Sequence, residues 1–186
     1  MVANMTGMFA GTETFNSPLV HGMFSQVDSM ESMFNSAAAS SQRFGQWGVR
    51  NVTRVNAMLH MAFSFSQPVG DWIVSRATDM SHLFYKATLF SQSIGQWNFS
   101  NVANMEYMLF DLKSFKQSLR QWNVYNLTGM QGMSTIAKSL NSYNIEAMDL
   151  EAQRAILILS EGRWLDGSFI TICIVEIEGE QVRSDG

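Results

Sequence analysis

Apolar and polar positions along this chain repeat with a period of 25 residues, and the phase is fixed by Trp47, Trp72, Trp97 and Trp122. Six units begin at Val2, Val27, Val52, Ala77, Val102 and Leu127. Within each unit an apolar column follows three residues on (Met5, Met30, Val55, Met80, Met105, Met130). A second lies three further (Met8, Met33, Met58, Leu83, Met108, Met133), and a third is its immediate neighbour (Phe9, Phe34, Leu59, Phe84, Leu109). Spacings of three and four residues mark one face of a short helix. Ala37, Ala62, Ala87 and Ala137 then recur as small residues where such a helix packs closely on the next unit. The period changes after Phe15, Phe65, Phe90 and Phe115, with Gln42, Gln67, Gln92 and Gln117 two positions later. Gly45, Gly70 and Gly95 lead into Trp47-x-Val49, Trp72-x-Val74, Trp97-x-Phe99 and Trp122-x-Val124, whose alternation predicts a short extended stretch with both large residues on one face.

A period of this length with apolar signposts predicts an α/β, leucine-rich-repeat-like solenoid of about six coils, each a short parallel strand plus a short helix. It occupies residues 1–142, and a non-repeat extension fills 143–186. The Asn column, Asn51, Asn101 and Asn126, reads as an internal amide ladder that satisfies backbone groups between neighbouring coils, with Arg76 breaking it in one coil. In the extension, Ile145 to Ser160 has a helical face of Met148, Ala152, Ala155, Ile156 and Leu159, Gly162 offers a stop, and Ser168 to Glu178 reads as a strand apolar on both faces. Either this helix-strand pair caps the last coil or it is an unrelated junction. The chain itself is expected to be a piece of a longer array, with further repeats of a parent chain as neighbours.

The pattern in SNVANMEYMLF, ATLFSQSIGQWNFSNVANM and KSFKQSLRQWNVYNLTGM resembles the BspA-like leucine-rich repeat surface proteins, also described as the DUF285 repeat, over about residues 2–142. That resemblance implies a surface-displayed or secreted solenoid with adhesive or interaction roles. The position after Trp, usually aspartate in the family, is Gly48, Ile73, Asn98 and Asn123 here, so no ligand contact through that carboxylate carries over.

Composition narrows the function. The net charge of −4 is unevenly spread, +2 over residues 1–142 and −6 over 143–186. The repeat region's scattered cations form no cluster that would neutralise several phosphates, so no nucleic-acid partner is expected. Apolar runs around Ala155 to Leu159 and Phe169 to Val175 fall far short of a membrane span, and no secretory signal is visible in MVANMTGMFAGTE. The single cysteine, Cys173, excludes an intramolecular disulfide.

Met-x-x-Met recurs at 5/8, 30/33, 105/108 and 130/133, a spacing that would suit a soft metal, but Val55, Leu83 and Leu59 share the same columns. A core tolerates that exchange and a ligand set does not, so no metal or cofactor is expected. The Trp column shares its face with valines and reads as core rather than as a sugar-stacking platform, its indole N–H needing a partner inside the coil. His21, His60 and His82 fall in different phases, and no nucleophile with a recognisable base or phosphate loop is present, so no enzyme is expected. Four N-glycosylation sequons occur, at Asn4, Asn51, Asn98 and Asn126, of which only Asn98 is expected to point outward.

The residues between the inward positions of each strand define the expected binding face. Candidates are Arg50, Asp71, Ser75, Gln96, Asn98, Ser100, Gln121, Asn123 and Tyr125, a polar, amide-rich concave ledge that suits weak contacts multiplied by copies. The expected function is non-catalytic interaction or adhesion at a cell surface or in secreted form, binding protein or glycan. The alternative is a structural spacer or fragment with no ligand of its own.

Overall fold

A computed structural model describes residues 3–14, 19, 24–37, 47–117, 122, 124 and 126–133. The 25-residue period is built as stacking of coil on coil. Parallel bridges join Asn4 to Ser29, Ser29 to Arg54, Arg54 to Asp79, Asp79 to Asn104 and Asn104 to Gly129, each one period on. The apolar columns meet along the stack. Val27, Met30, Met33, Phe34, Met58, Leu59, Met80, Leu83, Phe84, Met105, Met108 and Leu109 are all buried in one continuous core.

The expected strand and helix of each coil are not formed. Among the described residues there is no helix, and the only strand-like pairings are the isolated bridges. The reason lies in where the backbone N–H groups go. In the second coil Met30, Ser32, Phe34 and Ser36 donate to the carbonyls of Arg54, Asn56, Met58 and His60 in the third, at 2.7–3.0 Å. The interleaved Met33, Asn35 and Ala37 donate three residues back, to Met30, Ser32 and Phe34. None of these donors is left for the fourth-residue-back bond that defines an α-helix. The segment is a run of tight turns stitched to its neighbour at every second residue.

Those turns need left-handed residues. Positive φ occurs at Gly7 and Gly11 and recurs at Ser32 and Ser36, Ala57 and Met61, His82 and Lys86, Tyr107 and Asp111, and Gly132. From Gly7 through Tyr107 every one of these residues is itself a donor to the next coil. The first of each pair is the third residue of a turn closed by Met8 N–H to Met5 O or its equivalent, the position at which type II turns carry φ > 0.

The Trp segment departs from a strand for a different reason. Val52, Ala77, Val102 and Leu127 each donate three residues back, to Val49, Val74, Phe99 and Val124, closing local turns. Trp47 stacks on Trp72 at 6.4 Å and Trp72 on Trp97 at 6.0 Å, with interplanar angles of 12° and 7°. The backbone of these segments bonds locally, Trp72 N–H to Val69 O and Trp97 N–H to Ile94 O, so the indoles stack from coil to coil beside turns rather than on a strand ladder. Alternation is preserved: Trp47, Val49, Trp72, Val74, Trp97 and Phe99 are buried, while Gly48, Ile73 and Asn98 between them are exposed. The indole N–H groups have partners in the preceding coil, Trp97 Nε1 donating to Val69 O at 3.0 Å and Trp122 Nε1 to Ile94 O at 3.3 Å. A second stack, Phe65 on Phe90 at 5.8 Å and Phe90 on Phe115 at 6.0 Å, runs through the core.

The Asn ladder exists but is not internal. Asn51 Nδ2 donates to Ser25 O at 2.6 Å, Asn101 Nδ2 to Ser75 O at 2.7 Å, and Asn126 Nδ2 to Ser100 O, all in solvent-exposed surroundings. Arg76, in the same column, continues it by donating from Nη1 to Asn51 Oδ1 at 3.2 Å. A parallel amide ladder runs from Gln92 Nε2 to Ser66 O and Gln117 Nε2 to Ser91 O, at 2.9 and 2.8 Å. Because water can replace an exposed amide, Asn101→Ala is expected to cost only about 0.5–1 kcal/mol, read by urea unfolding. A loss above about 3 kcal/mol, the range of a broken buried network, would restore the internal ladder.

His21, the predicted helix Ile145 to Ser160, the strand Ser168 to Glu178 and Cys173 lie outside the described residues, as does the whole of 143–186.

Candidate functional site

The expected binding residues sit at the edge of the stack beside the Trp column. Arg50, Asp71, Gln96 and Asn98 are exposed, and Ser75 and Ser100 are half-buried. Gln121, Asn123 and Tyr125 fall outside the described residues. With no strand among the described residues, these side chains are not displayed by a sheet face; Asp71 and Gln96 lie in the turns that lead into Trp72 and Trp97, and the others in the turns that follow each Trp. Asn98 Oδ1 accepts the Ser100 N–H at 2.9 Å, a local turn bond, and the Ser75 and Ser100 carbonyls receive the Asn101 and Asn126 amides of the next coil. Ile73, in the position that is Gly48 and Asn98 in the flanking coils, is 53% exposed and puts an apolar side chain among polar ones. The strip therefore has a fixed backbone and different side chains from coil to coil.

A second surface was not anticipated from the sequence. His60 stacks on Tyr85 of the next coil at 4.6 Å and 4°, and Tyr85 stacks on Phe110 of the one after at 4.9 Å and 7°. Beside this ladder His82 stacks on Tyr107 at 5.1 Å, with His60 and His82 centroids 6.0 Å apart. Lys86 Nζ lies 5.4 Å from the Tyr85 ring centroid, within reach of the ring's quadrupole. All six side chains are half-buried. His60 and His82 do fall in different repeat phases, yet they are neighbours: a separation of 22 residues is one coil less three, which places them in adjacent coils and adjacent turns. The signal was present in the left-handed column Gly7, Ser32, Ala57, His82, Tyr107, Gly132 and in the column Ala10, Asn35, His60, Tyr85, Phe110, which turn aromatic together in the middle coils.

Burial holds the His60 imidazole below its ordinary value, with the nearby His82 and Lys86 lowering it further. The Nδ1 atoms of both His60 and His82 are buried without a hydrogen-bond partner. Among the described residues no group of three or more His, Cys, Asp or Glu side chains is placed to hold a metal ion, and no helix is long and apolar enough to cross a membrane.

Compared with known proteins, the chain is matched by a family model described as "Mycoplasma protein of unknown function, DUF285", over residues 1–93 and again over 64–156. Neither the curated proteins nor the solved structures contain a match.

Proposed function

The chain belongs to the DUF285 family, and from that premise we propose that it is a non-catalytic interaction or adhesion module, displayed at a cell surface or secreted, that binds protein or glycan along the edge beside its Trp column. One observation carries the reading. From the second coil to the fifth the core columns that run through Met30, Met33, Phe34 and Trp47 hold large apolar residues throughout, whereas the exposed residue between Trp and Val or Phe is Gly48, Ile73 and then Asn98. A spacer needs only the first property; a surface that discriminates a partner needs the second. The contacts available are polar and small, Arg50, Asp71, Gln96 and Asn98 among them, and each is weak alone. Affinity in such a module comes from several coils engaging together.

The test compares purified chain with a variant carrying Ala at Arg50, Asp71, Gln96, Asn98 and Tyr125 in a pull-down from cell-surface and matrix extracts. Both proteins must first melt at the same temperature. Retention by the parent and a drop of about tenfold or more in the variant, equivalent to 1.4 kcal/mol, is the expected result. Equal retention by both would move the binding surface elsewhere, and no retention by either folded protein would favour a spacer.

A further inference from the structure

The ring contacts that tie the third coil to the fourth contain two orphan nitrogens. His60, in the third coil, meets Tyr85 face to face and His82 at a tilt of 53°, both from the fourth. Nδ1 of each histidine is shut away from water and has no partner. A neutral imidazole tolerates this by carrying its proton on Nε2 and leaving Nδ1 as a bare lone pair. A protonated imidazole cannot, because both nitrogens are then donors and the Nδ1 proton meets no acceptor.

The surrounding charges oppose protonation too. On the fourth coil His60 faces His82, Tyr85 and Lys86, and His82 and Lys86 both act against a positive charge on it. On the second coil the Ser36 N–H donates to the His60 carbonyl at 2.7 Å. Glu31 of that coil and Glu106 of the fifth share one repeat position, and neither is among the groups that act on the imidazole, which are His82 and Lys86. Glu106 runs the other way, its Cγ reaching to 3.4 Å from the place a Cβ would occupy on Gly129. No carboxylate offsets a positive His60.

We propose that the His60–His82–Tyr85 contact is an acid-released joint between the third and fourth coils, closed while the His60 imidazole is neutral and opened when it takes up a proton. The direction follows from linkage. Burial, then His82 and Lys86, hold the folded imidazole below 6.5, so the unfolded chain takes up the proton first as acid is added. The stabilisation contributed by neutral His60 is complete above that value and is lost as pH falls below it. This proposal is independent of which ligand the Trp edge binds.

Amide exchange of the whole chain at pH 7.5 and 5.5, expressed as protection factors, reads the joint directly. The reporters are Leu59 N–H, which donates to Leu83 O, and Met61 N–H, which donates to Tyr85 O; Gly7 N–H, which donates to Glu31 O between the first and second coils, is the control. Protection at Leu59 and Met61 is expected to fall about tenfold more than at Gly7 on acidification. A His60→Phe variant, which keeps the stack and removes the proton site, should abolish that difference and lose about 2–4 °C less of Tm over the same pH change. Equal protection changes at all three amides in the parent would overturn the joint, and so would a His60→Phe variant that reproduces the parent's pH response. If that variant does not fold, the exchange of the parent decides alone.

Discussion

Replacing Trp97 with alanine is expected to cost about 3–5 kcal/mol of folding stability, a large share of what a domain of this size commonly has. The indole is 3% exposed and stacks on Trp72 at 6.0 Å, with Phe84 and Phe99 both at 6.1 Å. Its removal opens a cavity between coils that a run of hydrogen-bonded turns cannot easily close. Trp97→Phe separates packing from hydrogen bonding. It keeps an aromatic ring but withdraws the Nε1 bond to Val69 O, a carbonyl that still receives the Trp72 N–H at 3.1 Å. Because that carbonyl is not orphaned, the loss should be smaller, about 1–2 kcal/mol. Denaturant unfolding of the two variants, followed by a probe other than tryptophan fluorescence, gives both numbers. A loss below about 1 kcal/mol for Trp97→Ala would place the Trp column at the surface and revive it as a sugar-stacking platform.

What the sequence disclosed was membership of columns. Met30, Met33, Phe34 and Ala37 are spaced as a helix face and all are buried, so the core could be read from the columns in the second coil, whereas in the first Met8, of the same column as Met33, is 49% exposed. The same spacing arises when two successive tight turns bring residues three and four apart onto one side. Hydrophobic periodicity therefore cannot choose between a helix and a run of turns; the direction of the N–H groups does, and that depends on the neighbouring coil. The glycines Gly7, Gly11 and Gly132 were the local hint, since they occupy columns that are otherwise filled by Ser, Ala, His and Tyr. Column membership also concealed the His60–His82 contact, because a period aligns equivalent positions and says nothing of which unlike positions meet across a junction. The Asn column was found correctly as a ladder and put on the wrong side of the wall: its amides bond across coils as expected, from the solvent edge. Of the binding strip, the alternation about Trp made Gly48, Ile73 and Asn98 legible as outward residues, while the turns that hold them were not.

Glycine and alanine exchanges at the left-handed positions decide between turns and helix by their sign. In a helix interior Gly→Ala stabilises by about 1 kcal/mol. At Gly132 the opposite is expected: φ is +62°, and an added Cβ would lie 2.4 Å from the Tyr107 ring of the preceding coil. The left-handed penalty of about 1–2 kcal/mol and an overlap of about 1–3 kcal/mol together predict that Gly132→Ala destabilises by about 2–5 kcal/mol. The reverse exchange supplies the control. Ala57 has φ +52°, and its conversion to glycine should stabilise by about 1 kcal/mol, where a helix would lose that much. Thermal and denaturant unfolding of the two single variants reads both signs. Turns require Gly132→Ala to fall and Ala57→Gly to rise; the opposite pair of signs would return the segment to a helix. A double variant, Gly132→Ala with Tyr107→Ser, compared with Tyr107→Ser alone, should be free of most of the overlap and keep the whole backbone penalty, so that the difference between the two measures the left-handed turn.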